Sequence, residues 1–172
     1  MPNSVSVRAE TKADHFGIRQ VHLEAFGSPA EADLVDWLRT AGAASVSLVA
    51  EVSGTLAGHV LFSPVTIEHS PDNLPALGLA PLGVLPSHQR QGIGSALTQA
   101  GLPACQNLAC EVVFVLGHPE YYRRFGFRPA SEHGLWYTDL GLRPAFMALE
   151  LKPGTLSGLS GSVNYHPEFA GL

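Results

Sequence analysis

The sequence contains few lysines, and its charge does not suit a polyanionic partner. Only Lys12 and Lys152 are lysines among ten basic residues, and the formal net charge of the 172 residues is -5. A protein that binds duplex DNA through its phosphates needs a basic face, and none is visible in the sequence. We therefore expect no nucleic-acid partner. The mild acidity is compatible with a cationic or amine substrate.

Long apolar runs are also missing. No apolar stretch approaches the ~18–20 residues that are needed to span a bilayer. The polar N-terminal residues 1–8 lack the apolar core of a signal peptide. These absences predict a cytoplasmic protein with no membrane partner.

Cysteine is scarce as well. Cys105 and Cys110 are the only two, and their spacing matches no zinc pattern and makes no disulfide scaffold in a chain of this size. Both lie near apolar segments, so we expect two buried free thiols and no metal site. The composition, 45% hydrophobic and 15% charged, is that of one folded domain.

Hydrophobic periodicity predicts a mixture of strands and helices. The predicted order is a strand near 5–7, two helices within 12–40, strands at 47–52, 56–67 and 76–85, a helix from Arg90 to about Gln106, a strand at 111–116, a short helix at 120–125 and a strand at 145–151. Ser53-Gly54 predicts a tight hairpin, and Pro103 predicts a bent or short helix.

Other segments and side chains have structural predictions. Residues 131–144 are predicted to be irregular, and His59 is predicted to be a hydrogen-bonded structural histidine within its strand. We expect the aromatic side chains of the first two helices, including Phe16 and Trp37, to pack in the core.

The most informative stretch is residues 79–97. An apolar run ends at Val84-Leu85, Pro86 stops the strand, and Gly92 and Gly94 then enter a segment of helical period. The first amides of a helix have no partner inside it and carry partial positive charge, so a strand followed by such a turn can bind an anion. The glycines would let phosphates approach the backbone.

Two common nucleotide motifs fail on this stretch. A P-loop needs a lysine after its last glycine, and the sequence has none there. The dinucleotide fingerprint needs a third glycine or alanine where Leu97 stands, and Glu111 opens its strand rather than ending it. An ordinary strand-to-helix turn is the remaining alternative to a phosphate site.

The same stretch resembles the GCN5-related N-acetyltransferases (GNAT family). Residues 89–94, Gln-Arg-Gln-Gly-Ile-Gly, match that family's Gln/Arg-x-x-Gly-x-Gly/Ala signature, and a second motif follows at residues 122–127, Tyr-Arg-Arg-Phe-Gly-Phe. The order of elements over about residues 4–152 is also similar. Residues 116–127 and 161–169 resemble a bacterial subgroup of N-acetyltransferases with unassigned substrates, although His118 stands where that subgroup leads us to expect an acid.

The resemblance implies a fold and a domain organisation. The fold would be α/β (α+β), with a mixed, mostly antiparallel central sheet and helices on both faces. Residues 1–152 would form the GNAT-like domain, and residues 153–172 a tail packed on the same domain. The protein would be a monomer or a homodimer.

The resemblance also implies acetyl-CoA as the co-substrate. Backbone amides at the helix start would bind the pyrophosphate, and the pantetheine arm would run along the strand end. An amide near Val84 or Leu85 would then polarise the thioester carbonyl. The cofactor-binding residues so implied are Leu82, Gly83, Val84, Arg90, Gln91, Gly92, Ile93, Gly94 and Ser95.

The implied reaction is direct attack of a primary amine on the thioester. Tyr122 is placed by its motif to act as general acid toward the departing thiolate, or else it packs beneath the cofactor. The predicted strand 76–85 contains no acid, so the base is not readable, and His118 is either that base, acting through water, or a turn residue.

The acceptor would contact the loops at residues 26–33 and 131–143, with Trp136 and Tyr137 as candidate walls. The acceptor itself would be a small-molecule amine or a protein amino group. A non-catalytic acyl-CoA-binding or regulatory domain, and transfer of a longer acyl chain, are the alternatives.

Overall fold

The computed structural model describes residues 4–71, 73–138 and 144–172. Within this part the chain divides into two compact units. The first contains the residues up to Phe62, Pro81–Ala104 and Pro167–Leu172, and the second contains Ser63–Ala80 and Cys105–His166. No helix in the described part of the chain is long and apolar enough to cross a bilayer.

The first unit contains an antiparallel run of three strands. β1 (Val5–Ala9) pairs with β2 (Val46–Val52), and β2 pairs with β3 (Thr55–Pro64). Ser53 and Gly54 join β2 to β3 with φ values of 50° and 77°. A tight two-residue hairpin needs these left-handed conformations, so the predicted hairpin is confirmed.

Local signals set the limits of the two N-terminal helices, α1 (His15–Phe26) and α2 (Ala30–Thr40). Before α1, the Thr11 amide donates to Asp14 Oδ2 at 2.7 Å, which satisfies one donor of the short turn leading into the helix. After α1, Gly27 has a φ of 70° and its amide donates to the carbonyl of Leu23. Glycine adopts this left-handed C-cap without strain, which is why the helix ends there.

The buried stripes of α1 and α2 follow helical period rather than residue type. Ile18, Val21, Leu34 and Leu38 are buried, whereas Phe16 is 76% exposed and Trp37 is 48% exposed. The prediction that these aromatics pack in the core is therefore wrong. Both lie outside the buried stripe that helical spacing defines.

Helix α3 (Ile93–Asn107) begins three residues later than the predicted start at Arg90. Arg90 and Gly92 have φ values of 61° and 84°, and a left-handed residue cannot belong to a right-handed helix. The helix also continues past Pro103 to Asn107, so the proline does not end it.

In the second unit, four strands form a mixed arrangement. β5 (Ala76–Val84), whose residues 81–84 belong to the first unit, pairs in parallel with β6 (Val112–Leu116). β9 (Phe146–Glu150) pairs antiparallel with both β6 and β7 (Arg128–Pro129). Most strand pairs among the described residues are antiparallel, which confirms the mixed, mostly antiparallel architecture.

A smaller sheet completes the second unit. β10 (Gly161–Asn164) pairs antiparallel with β4 (Thr66–Ile67) and in parallel with β8 (Leu135–Tyr137). The prediction that residues 131–144 are irregular is therefore wrong for β8 and for the 3-10 turn at Ala130–His133. β8 is held by pairing with a strand far along the chain. Asp139 and the other residues of 139–143 lie outside the described residues.

Both cysteines are buried free thiols, as predicted. Burial, reinforced by the neighbouring Cys110, raises the pKa of Cys105 to about 12, and burial also raises the pKa of Cys110. A thiol rather than a thiolate therefore occupies each site at neutral pH.

Candidate functional site

The loop between β5 and α3 contains the predicted cofactor residues of the first unit. After β5, the Leu85 amide donates to the Ala57 carbonyl on β3 at 2.9 Å. A 3-10 turn follows at Pro86–His88. The Gln89 side chain then folds back, and its Nε2 donates to the Val84 carbonyl at 3.1 Å. These bonds tie the loop to the end of the strand.

The helix start has the backbone geometry of an anion cradle. The first hydrogen bond of α3 runs from the Ala96 amide to the Gly92 carbonyl at 2.9 Å, so the amides of Ile93 and Gly94 precede the helical ladder. Gly92 is in the left-handed region, and among the described residues other than its two chain neighbours no atom lies within 4 Å of where its Cβ would be. Open space in front of helix-start amides is what a bound phosphate group requires.

The side chains of this loop differ in their roles. Ile93 is buried and anchors the helix start, whereas Arg90 and Gln91 are exposed. Gln91 donates through Nε2 to the Ser87 carbonyl at 3.3 Å. A Cβ on Gly58 of β3 would lie 2.8 Å from Ile93 Cγ2, so α3 packs directly on the backbone of β3.

The strand end that precedes the loop is half-buried. Leu82 and Val84 are partly exposed, and Gly83 between them is buried. A Cβ on Gly83 would lie 2.7 Å from Nδ1 of His22 and 3.5 Å from Cε2 of Phe26. Helix α1 therefore rests its histidine against the backbone of β5 at Gly83.

In the second unit, Tyr122 lies on the short helix α4 (Pro119–Arg123). Tyr122 is 8% exposed, and its ring packs edge to face against Phe127, with centroids 5.6 Å apart. A Cβ on Gly117 would lie 2.5 Å from Cε2 of Tyr122. Burial, with a smaller effect of Tyr121, raises the pKa of the Tyr122 hydroxyl above its usual value, so the group stays protonated at neutral pH.

His118 immediately precedes this helix and is exposed. Its carbonyl accepts hydrogen bonds from the amides of Tyr121 and Tyr122 at 3.1 and 3.2 Å. These bonds give the backbone of His118 a capping function in the turn. Tyr121 packs against Tyr122 and beneath the guanidinium of Arg124, whose Cζ is 4.6 Å from the ring centroid.

The first unit also contains a buried polar chain that sequence reasoning missed as a functional feature. We use this name for the side chains of His22 and His59, which are buried, and of Ser47 and Glu10, which are partly exposed. His22 Nε2 and His59 Nδ1 are 2.8 Å apart, and His59 Nε2 is 2.7 Å from Ser47 Oγ. Ser47 Oγ donates to Glu10 Oε2 at 2.7 Å.

Burial keeps the two histidines of the buried polar chain uncharged. His22 and His59 are 0% exposed. Desolvation, with a smaller effect of the Arg39 charge, lowers the pKa of His22 to about 4. Desolvation, with smaller effects of His22 and Arg39, also lowers the pKa of His59 well below its usual value. Both rings are neutral at physiological pH.

The structural prediction for His59 is confirmed by its two hydrogen bonds. His22 had only one signal in the sequence, its place on the apolar stripe of α1 beside Ile18 and Val21. A histidine on an apolar stripe is usually a satisfied core residue. His22, however, keeps one buried nitrogen, Nδ1, that no hydrogen-bond partner among the described residues reaches. The same part of the chain groups no three His, Cys, Asp or Glu side chains that could hold a metal ion.

The chain is similar in sequence to known proteins. Residues 6–130 match the family model described as an acetyltransferase (GNAT) domain. The chain is 36% identical over 164 residues to a protein of Escherichia coli K12 named as an uncharacterized N-acetyltransferase, YhbS. The match covers 95% of this chain and 97% of that protein.

Two solved structures are also similar. The crystal structure of E. coli YhbS in complex with CoA superposes with a TM-score of 0.91 at 35% identity, over 97% of this chain and 92% of that one. A GNAT family acetyltransferase from Brucella melitensis in complex with acetyl-CoA superposes with a TM-score of 0.80 at 34% identity, over 97% of this chain and 99% of that one.

Proposed function

This chain belongs to the GNAT family of acetyltransferases, and we propose that it transfers the acetyl group of acetyl-CoA to a primary amine by direct attack on the thioester. It is an N-acetyltransferase that uses acetyl-CoA as co-substrate. The acceptor is a small-molecule amine or a protein amino group. Use of acetyl-CoA supports a cytoplasmic location, where that metabolite is available.

The observation that carries the proposal is the loop at residues 89–95. Its left-handed Arg90 and Gly92, the ladder that begins only at Ala96, and the open space at Gly92 support pyrophosphate binding by backbone amides. Arg90 is exposed and adds positive charge beside that position. Affinity in such a site depends mainly on backbone geometry.

The end of β5 supports a position for the thioester. Of the two amides that the sequence suggested for polarising its carbonyl, Leu85 already donates to Ala57. Amides alternate in direction along a strand, so the Val84 amide points away from β3. We therefore assign the donor for the developing oxyanion to Val84.

Tyr122 is proposed as the general acid for the departing thiolate. Its burial supports this role because a hydroxyl with a raised pKa keeps its proton until a strong base develops nearby. His118 remains a candidate for the base. Its exposed side chain supports contact with water, and its backbone capping function supports the alternative of a turn residue.

A screen of primary amines tests the proposal. The purified protein is incubated with acetyl-CoA and amines that include polyamines, amino sugars, amino acid amides and peptides, and a dye detects the released thiol. We expect thiol release that depends on one class of amine. Binding of acetyl-CoA without thiol release for any amine would instead support a non-catalytic acyl-CoA-binding domain. A parallel panel of acyl-CoA chain lengths separates acetyl transfer from transfer of longer chains.

A further inference from the structure

Glu10, the last member of the buried polar chain, fixes the direction in which hydrogen bonds are donated along it. Glu10 accepts two hydrogen bonds from Arg39, at 3.0 and 2.9 Å, and one from Ser47. Desolvation raises the pKa of Glu10, but the Arg39 and Ser47 hydrogen bonds outweigh it and the pKa lies below its usual value. Glu10 is therefore a carboxylate at neutral pH, and a carboxylate only accepts. The single Ser47 proton must point to Glu10.

The direction of the Ser47 hydroxyl sets the tautomers of both histidines. Because Ser47 donates to Glu10, its oxygen must accept from His59 Nε2, which then carries the ring proton. A neutral imidazole has one protonated nitrogen, so His59 Nδ1 is an acceptor. His22 Nε2 must donate to it at 2.8 Å. The remaining nitrogen, His22 Nδ1, therefore carries a lone pair.

That lone pair lies against the strand end to which we assign the thioester. Nδ1 is buried without a hydrogen-bond partner in the described part of the chain, and a Cβ on Gly83 would lie 2.7 Å from it. Phe26 stacks on the His22 ring with centroids 5.8 Å apart, and it is 42% exposed. A buried acceptor without a donor destabilises the folded protein. Because the His22 ring is 0% exposed, a donor relieves this cost only where the partly exposed Phe26 side chain moves off the edge that it forms with Gly83.

We propose that His22 is the catalytic proton acceptor of the acetyl transfer and that the rest of the buried polar chain positions it and relays the proton. The proposal rests on the proposed function, and it supplies the base that the sequence of β5 lacks. His59, Ser47 and Glu10 do not touch the substrate and are positioning residues.

The proton balance closes within one cycle. As the amine nitrogen bonds to the acetyl carbon, its N–H bond breaks and a bond forms to His22 Nδ1. The Nε2 proton of His22 passes to His59, the Nε2 proton of His59 passes to Ser47, and the Ser47 proton passes to Glu10. Each ring stays neutral throughout. When the carbon–sulfur bond breaks, Tyr122 gives its proton to the departing sulfur. The chain then reverses, and the proton that Nδ1 returns to the site through water restores the Tyr122 hydroxyl. The amine has then lost one proton and the thiol has gained one.

Variants at Ser47 test the relay without changing the groups at the strand end. Threonine and valine have nearly the same shape, and only threonine keeps the hydroxyl, so Ser47→Thr and Ser47→Val form a matched pair. With the best amine from the screen, we expect Ser47→Thr to retain kcat. We expect Ser47→Val to lower kcat by about tenfold or more, and His22→Gln by about 100-fold, because a positioned general base contributes 10²–10⁴-fold. The KM for acetyl-CoA should not change in Ser47→Val or in His22→Gln.

A spectroscopic arm measures the tautomers directly. In protein labelled with ¹⁵N-histidine, the ring shifts of His22 and His59, assigned through their Gln variants, should show protonated Nε2 and unprotonated Nδ1 on both rings. His69→Gln, at a side chain that is 81% exposed in the second unit, controls for the substitution itself and should retain kcat. Protonation of His22 at Nδ1, or equal kcat for Ser47→Thr and Ser47→Val, would overturn the proposal. If the wild-type protein releases no thiol with any amine, the proposed function fails and the relay with it. If the wild type is active and the paired variants are equal, only the relay fails.

Discussion

Lowering the pH from 7 to 5 should destabilise this protein, and most of the loss should come from two buried histidines. His22 and His59 are fully buried and neutral, and burial lowers the pKa of His22 to about 4 and that of His59 well below 6.5. In the unfolded chain both rings titrate near 6.5. The unfolded state therefore takes up protons as the pH falls below 6.5, whereas the folded state does not, and the free energy of unfolding decreases.

The magnitude follows from the distance below the unfolded pKa. At pH 5 each ring lies about 1.5 units below it, and each unit is worth about 1.36 kcal/mol, so each ring contributes about 2 kcal/mol and the pair about 4 kcal/mol. The ion pair of Asp14 with Arg8 (2.7 Å) does not interfere. The pKa of Asp14 lies below its usual value, so its stabilisation is lost only below about pH 4.

Urea denaturation at 25 °C, measured at pH 7, 6 and 5, gives this free energy directly, and a constant slope against urea verifies two-state unfolding. His59→Gln is the matched variant: it lowers stability at every pH but should halve the loss between pH 7 and 5. A loss below about 1 kcal/mol in the wild type would mean that the buried rings accept protons in the folded state. The assignment of His22 and His59 as neutral buried rings would then be wrong.

Three further predictions concern single sites. Gly83→Ala should lower the free energy of unfolding by about 1–3 kcal/mol in urea, because its Cβ would lie 2.7 Å from His22 Nδ1; unchanged stability would contradict this packing. Cys105 and Cys110 should react with a thiol reagent at pH 7.5 only at the rate of unfolding, since both are buried thiols with raised pKa values; rapid labelling of the native protein would refute their burial. Tyr122→Phe should lower kcat by about 100-fold with acetyl-CoA affinity retained, and an unchanged kcat would remove the acid assignment.

Local sequence signals specified much of the fold. Ser53-Gly54 predicted the hairpin, because both positions need a left-handed backbone conformation that few residues adopt. The two motifs at 89–94 and 122–127 indicated the family because they combine glycines with a fixed order of elements. These features depend on a few neighbouring residues, which a single sequence displays.

Features that depend on distant contacts were not predictable. Arg90 belongs to the left-handed loop rather than to α3, although its side chain is compatible with a helix. β8 forms because β10, some 25 residues later, pairs with it. His22 on a helix contacts His59 on a strand, and the two residues are 37 positions apart in the sequence. Only the folded chain shows which nitrogen remains without a donor.

We assign the binding of acetyl-CoA to the left-handed loop before α3. Gly92 and Gly154 form a matched pair, because their φ values are 84° and 87° and, apart from their chain neighbours, no described atom lies within 4 Å of either Cβ position. A side chain in this conformation costs about 1–2 kcal/mol. In Gly92→Ala the loop of the unbound protein should therefore leave the left-handed conformation. Binding of acetyl-CoA must then restore that conformation, which weakens the affinity.

Isothermal titration with acetyl-CoA compares the wild type, Gly92→Ala and Gly154→Ala. We expect Gly92→Ala to weaken binding by about tenfold, which corresponds to about 1.4 kcal/mol, and Gly154→Ala to bind as the wild type does. Equal affinity for all three proteins, or an equal loss in both variants, would contradict the assignment of this loop to the pyrophosphate.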